Sequence, residues 1–365
     1  YPKFTSQYTD QTVAANSVIV VCGDKSKVVS NSDMWETSTN YQTYQTQTTG
    51  FDGEGQITSA ITYVTSENNP KVYWVTGHGE ASESDLSTNF SDAVNKNNVE
   101  ISDLALMTDD IPEDAEELVI MSPTTDFSED EANKVITYLE NGGKLLMFTS
   151  YTGTDMPNLD SILENYGVKR SSGIVVETDS QHYYPQMPYY LLPNIQSDDI
   201  TTEVKSNYIL MPVAQAIQKL DSYRDTITIK SLLTTTEDAY IENDPENSTW
   251  SKSADSETGA FDLGVSITET VDDKETQIIY FSSASMLSSQ IDQAISGANS
   301  KLAATALTSM CDVEQTVVIP SKSTSYTNLV FTQGAVNTWS IITIAGIPLV
   351  LVVIGVMIWM KRRKQ

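Results

Sequence analysis

The C-terminal end of the chain constrains its fold most, because 22 consecutive residues from Trp339 to Met360 carry no charge. An uncharged apolar stretch of at least about 18 residues is long enough to cross the hydrocarbon core of a bilayer as a helix. Trp339 and Trp359 lie near its two ends, where indole rings favour the headgroup zone, and we expect a kink at Pro348. The sequence therefore predicts a transmembrane helix over residues 339–360. The alternative is a helix buried in a protein core.

Charge on the two flanks of this stretch predicts its orientation. Residues 361–365 hold four cations, whereas residues 321–338 hold one, Lys322. Cations next to a span stay on the cytoplasmic side. We therefore expect a cytoplasmic basic tail at 361–365 and an extracytoplasmic position for residues 1–338. The alternative, a tail-anchored cytosolic protein, requires four cations to cross the bilayer.

The net charge of −28 argues against one broad class of partner. Without the four tail cations, 17 Lys and Arg stand against 49 Asp and Glu, a balance of −32. Such a surface repels nucleic acid and anionic lipid, so we expect no nucleic-acid partner. The acidity favours solubility. A dedicated cation site is the alternative, although the acidic residues do not follow the spacing of a calcium-binding loop.

The N-terminus and the cysteines bear on export and redox state. The sequence starts at Tyr1 with no charged segment followed by an apolar one. We therefore expect a fragment or a processed chain, whose upstream part held a signal peptide or another span. Cys22 and Cys311 form no CxxC pair, which favours neither a zinc site nor a redox motif. A disulfide between them and two separate thiols are equal alternatives.

Hydropathy patterning divides the chain into segments. From 66 to 320, apolar runs alternate with amphipathic stretches, which is typical of βαβ units and a mostly parallel sheet flanked by helices. We expect an extracytoplasmic α/β domain there, with an irregular insertion at about 178–260 that elaborates the sheet. Residues 1–65 form a separate N-terminal α/β segment, and a polar linker at 321–338 leads to the span.

Individual elements follow from local patterns. Ser128 and Glu131 form a capping box at the start of a helix predicted over 128–141, and Gly142 ends it. The Thr- and Gln-rich residues 42–50 are expected to form a loop. The other predicted helices cover 57–64, 84–96, 159–166 and 300–310. The predicted strands cover 17–22, 26–29, 71–76, 99–107, 117–121, 144–149, 208–211, 226–233, 261–268, 276–282 and 316–320.

The best candidate for a functional site is Thr76-Gly77-His78-Gly79-Glu80, directly after the first strand of the core. Ligands of open α/β sheets bind beyond the carboxyl ends of the strands. The two glycines let backbone approach a ligand closely, and a His and a Glu two residues apart can share a proton or a cation. The alternative is a tight turn in which His78 hydrogen-bonds the fold.

Small polar residues follow other strands at the same predicted edge. Serines and threonines there either line a pocket with the loop at 76–80 or cap the ends of the strands. Thr124, Thr149 and Ser282 belong to this set. The candidate ligand-binding residues are therefore Gly77, His78, Gly79, Glu80, Ser122, Ser150 and Ser283.

Motifs for several reaction classes are missing from the sequence. No G-x-S-x-G elbow occurs, and neither cysteine follows a core strand at a glycine-flanked turn. His182 lies in an aromatic, Pro-rich stretch that is typical of a packed loop, and a lone HxE motif is a weak indicator of a metal. Gly143-Lys144 lacks the upstream glycine of a phosphate-binding loop. We therefore expect no ATP hydrolysis, no catalytic residue, no metal and no cofactor.

Several segments together resemble a known family. The sequences FDGE at 51–54, VYWVTGHGE at 72–80 and GGK at 142–144 resemble the auxiliary components of gliding-motility-type ABC transporters. The resemblance covers most of residues 15–365, although 178–260 adds little to it. Further matching positions are Ile57, Ile61, Ile111, Pro112, Leu118–Ile120, Pro123, Asp126, Phe127 and Glu131.

The resemblance implies a bacterial plasma-membrane protein whose extracytoplasmic domain works with an ABC ATPase and a permease on separate chains. It also implies a glutamine amidotransferase-like or flavodoxin-like α/β core. The amidotransferase nucleophilic cysteine is missing, so that activity does not follow. The resulting hypothesis is a non-enzymatic, membrane-anchored accessory subunit that binds a partner or an envelope ligand. Two alternatives are an envelope-acting, hydrolase-like enzyme that uses His78 and Glu80 as acid and base, and a surface scaffold or adhesin.

Overall fold

A computed structural model of the chain describes residues 4–40, 45–66, 69–246, 249–311, 319, 322–324 and 331–363. The helices are α1 Gly53–Thr65, α2 Thr88–Lys96, α3 Glu129–Glu140, α4 Pro157–Asn165, α5 Ser289–Ala294, α6 Ala298–Met310, α7 Gln333–Ile341 and α8 Ile347–Arg363. Short 3-10 turns cover Thr5–Gln7, Glu83–Asp85, Thr202–Val204 and Ala284–Leu287.

The strands outnumber the helices and are often short. In chain order they are β1 Val18–Cys22, β2 Lys25–Val29, β3 Trp35–Asn40, β4 Gln45–Phe51, β5 Lys71–Val75, β6 Glu100–Leu104, β7 Glu117–Met121, β8 Lys144–Phe148, β9 Val168–Val176, β10 Tyr183–Tyr184, β11 Met187–Leu191, β12 Asn194–Ile195, β13 Met211–Pro212, β14 Gln215–Lys219, β15 Ile227–Thr234, β16 Tyr240–Glu242, β17 Asp262–Val271, β18 Lys274–Phe281 and β19 Lys322–Ser323.

An eleven-stranded mixed sheet forms the centre of the α/β domain. Its main path runs β16-β9-β14-β17-β18-β8-β7-β5-β6, while β15 pairs with β17 and β12 with β15. The strands from β18 to β6 are parallel, and the remaining ladders are antiparallel. The α/β class is confirmed, and the amidotransferase-like or flavodoxin-like core stays a prediction.

The expectation of a mostly parallel sheet is correct for only one half of this sheet. The strand direction changes between β17 and β18. These two strands form an antiparallel hairpin in which Val271 pairs with Lys274. The two turn residues, Asp272 and Asp273, have φ of 50° and 62°. Two successive positive φ angles are the geometry of a tight hairpin turn that matches the twist of its strands. A helix therefore does not separate these two strands.

Helices cover both faces of the sheet because its central strands are apolar on both sides. Strand β7 is buried throughout, and its side chains alternate between the two layers of core. Val119 packs in the layer that holds Phe90 of α2 and Leu302 of α6. Leu118 packs in the layer that holds Val135 of α3. The helices α2 and α6 thus cover one face, and α3 and α4 cover the other.

The N-terminal segment contains two small antiparallel sheets. β1 pairs with β2, as the sequence predicts, and both contact α1. The predicted loop at 42–50 is wrong over residues 45–50, since β4 is a strand that pairs with β3 on one side and with β19 on the other. Residues 42–44 lie outside the described residues. Threonine, the main residue of this stretch, is β-branched and favours strands. The Trp35 and Phe51 rings on these strands lie 4.8 Å apart.

The irregular region at 178–260 contributes to the central sheet. The predicted strand at 226–233 is confirmed as β15, which pairs with β17 over most of its length. The strand predicted at 208–211 is shorter and later than expected, since β13 covers only Met211–Pro212. The insertion therefore supplies β12, β14, β15 and β16 to the sheet's antiparallel half.

Local capping decides where two predicted helices begin. The capping box of Ser128 and Glu131 is present, and α3 starts at the next residue, Glu129. The helix predicted over 84–96 starts later, as α2, because the Ser87 hydroxyl accepts a hydrogen bond from the Asn89 N–H at 3.3 Å. An N-cap of this kind fixes the first turn of a helix.

A continuous helix, Gln333–Arg363, is the one candidate membrane span among the described residues. Its most apolar window is not buried, so the alternative of a buried core helix is wrong. The helix begins within the predicted linker 321–338, where Thr332 caps it. A π-helical turn, Ile342–Gly346, precedes Pro348, the position of the expected kink. The strand predicted at 316–320 and the tail residues 364–365 fall outside the described residues, apart from Ile319.

Candidate functional site

The GHGE loop lies where the sequence places it, at the carboxyl end of β5. Gly77 and Gly79 are exposed and have φ of +123° and +76°. A Cβ on Gly79 would overlap the Thr124 hydroxyl, and φ there is positive, so the position favours glycine. Nothing lies within 4 Å of a Cβ built on Gly77, which leaves open space beside that residue. The loop is therefore closely packed on one side and open on the other.

His78 is the buried centre of this loop, with 4% of its surface exposed. Its Nδ1 lies 3.3 Å from the Glu80 carboxylate, and its Nε2 lies 3.3 Å from the Glu131 carboxylate. The ring packs on Phe127 at a centroid distance of 4.3 Å. The backbone N–H of His78 donates to Glu80 at 2.6 Å, and its carbonyl accepts from the Thr124 N–H at 2.9 Å. These contacts favour the alternative in which His78 holds the fold.

Glu131 joins this cluster from the first turn of α3. Its Oε2 accepts from the Ser128 hydroxyl at 2.7 Å and from the Ser128 N–H at 2.9 Å. Burial acts to raise the pKa of Glu131, but the hydrogen bonds from Ser128 and the neighbouring His78 outweigh it and lower the pKa. The carboxylate is therefore held charged beside the imidazole ring.

Ser122 and Ser150 meet at the same edge of the sheet. The Ser122 hydroxyl donates to the Ser150 hydroxyl at 2.8 Å, and both residues are half-buried. Ser122 has φ of +54°, an uncommon conformation for a residue with a Cβ. Its N–H donates to the Phe148 carbonyl at 2.8 Å, which ties the turn after β7 to the end of β8. The structure thus brings two candidates into direct contact.

Ser283 points away from this pair. It is 1% exposed, and its hydroxyl donates to the Pro212 carbonyl at 2.5 Å. The N–H of the next residue, Ala284, donates to the Thr149 carbonyl. The backbone after β18 therefore lies beside the end of β8, although the Ser283 side chain is enclosed. The ligand-binding role of the seven candidates stays a prediction. Gly77 and Gly79 are exposed, Ser122 and Ser150 are half-buried, and Glu80 is half-buried with an enclosed side chain.

His182 has its own local contacts. Its Nδ1 lies 3.1 Å from the Leu192 carbonyl oxygen, and its Nε2 lies 3.9 Å from the Asp179 carboxylate. The residue is half-buried. These contacts agree with the packed loop that its aromatic and Pro-rich surroundings predict.

A second buried cluster lies at the opposite, amino edge of the sheet, and no motif in the sequence predicts it. Glu117, the first residue of β7, is 0% exposed, and its Oε2 accepts from the Cys311 thiol at 3.3 Å. Burial raises the pKa of Glu117 well above its ordinary range and also raises the pKa of the Cys311 thiol. Cys311 and the exposed Cys22 are both free. The available signal was the acidic pair Glu116-Glu117 directly before an apolar run.

An open cleft of about 1030 Å³ lies near this amino edge, away from the GHGE loop. It is lined by the loop before β7, by α3 and by the start of β8, including Pro112, Tyr138 and Lys144. The Lys144 ammonium donates to the Met310 carbonyl at 2.5 Å. The cleft therefore does not coincide with the predicted site at the carboxyl edge.

The comparisons with known proteins concern this α/β domain. A sequence model of ABC transporter auxiliary proteins, described as an ABC-type uncharacterized transport system, matches residues 69–309. No curated protein matches the chain in sequence.

Several solved structures are similar at low identity. The N-terminal domain of mmIFT52 has 15% identity and a TM-score of 0.48, over 66% of this chain and 96% of that one. A ThuA-like protein from Parabacteroides merdae has 12% identity and a TM-score of 0.36, over 73% and 99%. The exo-beta-1,4-mannosidase Op5Man5 from Opitutaceae bacterium strain TAV5 has 10% identity and a TM-score of 0.34, over 69% and 37%. At these TM-scores the likenesses support no statement about activity.

Proposed function

The chain belongs to the family of ABC transporter auxiliary proteins, and we propose that it is the membrane-anchored, extracytoplasmic accessory subunit of an ABC-type transport system. In this proposal, an ABC ATPase and a permease on separate chains supply nucleotide hydrolysis and the translocation path. The chain itself binds a partner protein or a small envelope ligand. The observation that carries the proposal is the presence, in one chain, of the family's core at 69–309 and the exposed apolar helix Gln333–Arg363.

The free energy of exposed apolar surface supports the membrane anchor. Twelve Val, Leu and Ile side chains between residues 341 and 358 are exposed. Burial of such a side chain is worth roughly 1.5–3 kcal/mol. Their sum exceeds the whole folding stability of an ordinary domain, about 5–15 kcal/mol. Immersion of this helix in lipid is therefore strongly favoured over exposure to water.

The proposed orientation rests on charge. Lys361, Arg362 and Arg363 form the last turn of the helix and lie on the cytoplasmic side in this proposal. The domain on the other side carries the large acidic excess. Protease added to intact cells is expected to degrade the domain, and protection of the domain would reverse the proposed topology.

The geometry of the GGK segment supports a separate ATPase. In a phosphate-binding loop, a strand leads through the glycines into a helix, whose N-terminus holds the phosphates. Here Gly142 and Gly143 follow helix α3, and Lys144 begins strand β8, so the order is reversed. Lys144 also already donates to a backbone carbonyl. We propose that these residues join the helix to the strand.

We propose the carboxyl edge of the sheet as the surface that binds the partner or ligand. Gly77 exposes its backbone there beside open space, and the Ser122 and Ser150 hydroxyls are half-buried next to the ends of their strands. His78 is buried beneath this surface, and each of its ring nitrogens faces a carboxylate. In this proposal, its role is to hold the loop in place. The chemistry that the edge offers is hydrogen bonding by hydroxyl and backbone groups.

Membrane fractionation tests the anchor. A lysine at the centre of a span costs about 2.5–3.5 kcal/mol, so we expect Val352→Lys with Val353→Lys to release the chain from membranes. The matched control is Val21→Lys with Val271→Lys, two valines that are 45% exposed on the domain. The control is expected to stay in the membrane fraction. Retention of both double variants would contradict the anchor.

Affinity purification tests the assignment to a transporter. The full chain, tagged and extracted in a mild detergent, is expected to recover an ATPase and a permease. The double variant in the span is expected to lose both, and the control double variant is expected to keep them. Recovery of the chain alone, under conditions in which other transporters stay assembled, would contradict the proposal.

A further inference from the structure

The first turn of the C-terminal helix is hydrogen-bonded to one hairpin of the α/β domain. The Gly334 N–H donates to the Ser180 carbonyl at 2.7 Å, and the Gln186 N–H donates to the Gln333 side-chain oxygen at 2.9 Å. A Cβ on Gly334 would overlap the end of the Gln181 side chain, so the helix and the hairpin are in close contact at this point. Residues 180–191, which contain β10 and β11, are called the tyrosine hairpin below. They lie directly beside the point where the candidate span begins.

The composition of the tyrosine hairpin is unusual for this chain. Residues 180–197 contain no Asp, Glu, Lys or Arg, although 19% of the whole chain is charged. Met187, next to the turn residue Gln186, is 38% exposed. Tyr189 packs on the Trp250 ring at 4.3 Å. The half-buried tyrosines of the hairpin are Tyr183, Tyr184, Tyr189 and Tyr190.

The height of the hairpin follows from helix geometry. An α-helix rises 1.5 Å per residue, so Gly334 lies about 7.5 Å above Trp339, where the uncharged stretch begins. The polar zone on each side of a bilayer is about 5–8 Å deep, since the core is about 30 Å thick and the whole about 40–45 Å. The contact between helix and hairpin therefore lies at the level of the lipid headgroups when residues 339–360 occupy the core.

We propose that the tyrosine hairpin lies in the headgroup zone of the bilayer and contacts lipid there, beside the span. Tyr and Trp rings favour this zone because one end is apolar and the other can hydrogen-bond. The absence of charge in the segment means that the contact requires no anionic lipid. The inference rests on the proposed membrane anchor and adds a second point of attachment, which fixes the orientation of the domain.

Spin labels on the full chain in phosphatidylcholine vesicles test the contact. Cys22→Ser removes the exposed thiol, while Cys311 stays unlabelled because it is buried. Single cysteines replace Met187 in the hairpin, Val352 in the span and Met107, which is 68% exposed on the domain. The measurement is the ratio of collisions with oxygen, which enters lipid, to collisions with a water-soluble nickel chelate.

We expect the ratio at Met187 to lie above that at Met107 and below that at Val352, and to be unchanged by high salt. A lipid-like Val352 with a Met187 ratio equal to that of Met107 overturns the hairpin contact and leaves the anchor intact. A Val352 ratio equal to that of Met107 overturns the anchor itself. A Met187 label that is aqueous in vesicles but becomes immobile when the permease is added assigns the hairpin to a protein partner and overturns the lipid contact.

Discussion

Glu131 and Glu117 are buried to nearly the same extent, at 3% and 0% exposure, on opposite edges of one sheet, yet their environments differ. Glu131 accepts two hydrogen bonds from Ser128 and faces the His78 ring, and its pKa is lowered. Within the described residues, the Oε1 atoms of both glutamates have no hydrogen-bond partner. Glu117 accepts from the Cys311 thiol, which is a weak donor. Its pKa is raised. The hydrogen bonds that a carboxyl group accepts, together with how deeply it is buried, decide whether its charged form is favoured.

The largest expected effect comes from removing the ring that serves both carboxylates of the GHGE cluster. His78→Ala leaves the Glu80 and Glu131 carboxylates without the ring nitrogens that face them. A buried acceptor left without its partner typically costs about 1–3 kcal/mol, and two carboxylates lose a contact here, so the loss is about 2–6 kcal/mol. We expect the free energy of unfolding of the full chain in detergent, measured with a chemical denaturant, to fall by that amount.

His182→Ala is the matched control, because that ring is half-buried and its closest hydrogen-bond contact is the Leu192 carbonyl. We expect it to cost about 0.5–1.5 kcal/mol, the value of one ordinary hydrogen bond. If the two alanine variants unfold at the same denaturant concentration, His78 does not hold the cluster. The alternative of a chemical role for His78 and Glu80 would then regain support.

The next largest effect sharpens the comparison of the two glutamates directly. Glu131→Gln removes a charged acceptor and is expected to cost about 1.5–3 kcal/mol. Glu117→Gln removes a carboxyl group whose pKa is raised by burial, so we expect no loss of stability at neutral pH. Denaturant midpoints at neutral pH measure both. Equal losses from both substitutions would show that the donors do not distinguish the two groups.

The pH dependence of the same variants has opposite signs. The contribution of Glu131, whose pKa is lowered in the fold, is present above its ordinary value of 4.5 and is lost as the pH falls. For Glu117, whose pKa is raised, the penalty is absent below 4.5 and grows as the pH rises above it, because the unfolded chain ionises first. The gap between wild type and Glu131→Gln should therefore narrow on acidification. Relative to wild type, Glu117→Gln should gain stability as the pH rises from 4.5 towards neutrality.

The smallest expected effect concerns the exposed surface above the His78 cluster. Ser150→Ala removes the acceptor of the Ser122 hydroxyl at a half-buried position, where water can replace it. We expect a loss of less than about 1.5 kcal/mol and a lower yield of co-purified partners. If neither Ser150→Ala nor Ser122→Ala changes the yield of co-purified partners, the binding surface does not lie at this edge of the sheet.

The sequence predicts the strands of the parallel half well because they are buried on both faces. Such strands form short continuous apolar runs, and β7 is found over the predicted residues, Glu117–Met121. The antiparallel half was harder to predict. Asp272 and Asp273 are typical turn residues. However, the ends of β17 and β18 next to this turn are polar, so the predicted strands stop short of it and the tight hairpin is not apparent from the sequence. β4 was missed because its Thr and Gln residues lack an apolar alternation.

The site was predictable in part for a similar reason. The position of the GHGE loop follows from strand order, and the capping box fixes Glu131 at the first turn of α3. That Glu131 also faces His78 depends on the adjacency of β5 and β7, which local sequence does not specify. The enclosure of Ser283 depends on where the chain places Pro212, a residue of the irregular insertion. Long-range packing therefore decides which candidates solvent reaches.

The pairing of β19 with β4 has a mechanical consequence. Lys322 and Ser323, just before the span, are hydrogen-bonded alongside Phe51 and Gly50 near the other end of the chain. The residue after β4, Asp52, is buried and forms an ion pair at 2.7 Å with Lys96 of α2. A pull on the candidate membrane helix therefore acts on strands β19 and β4, and the ion pair of Asp52 with Lys96 connects β4 to the core. In the proposed function, a movement of the permease would reach the domain as a force along this path, and a ligand-induced movement of the domain would pass back along it towards the membrane.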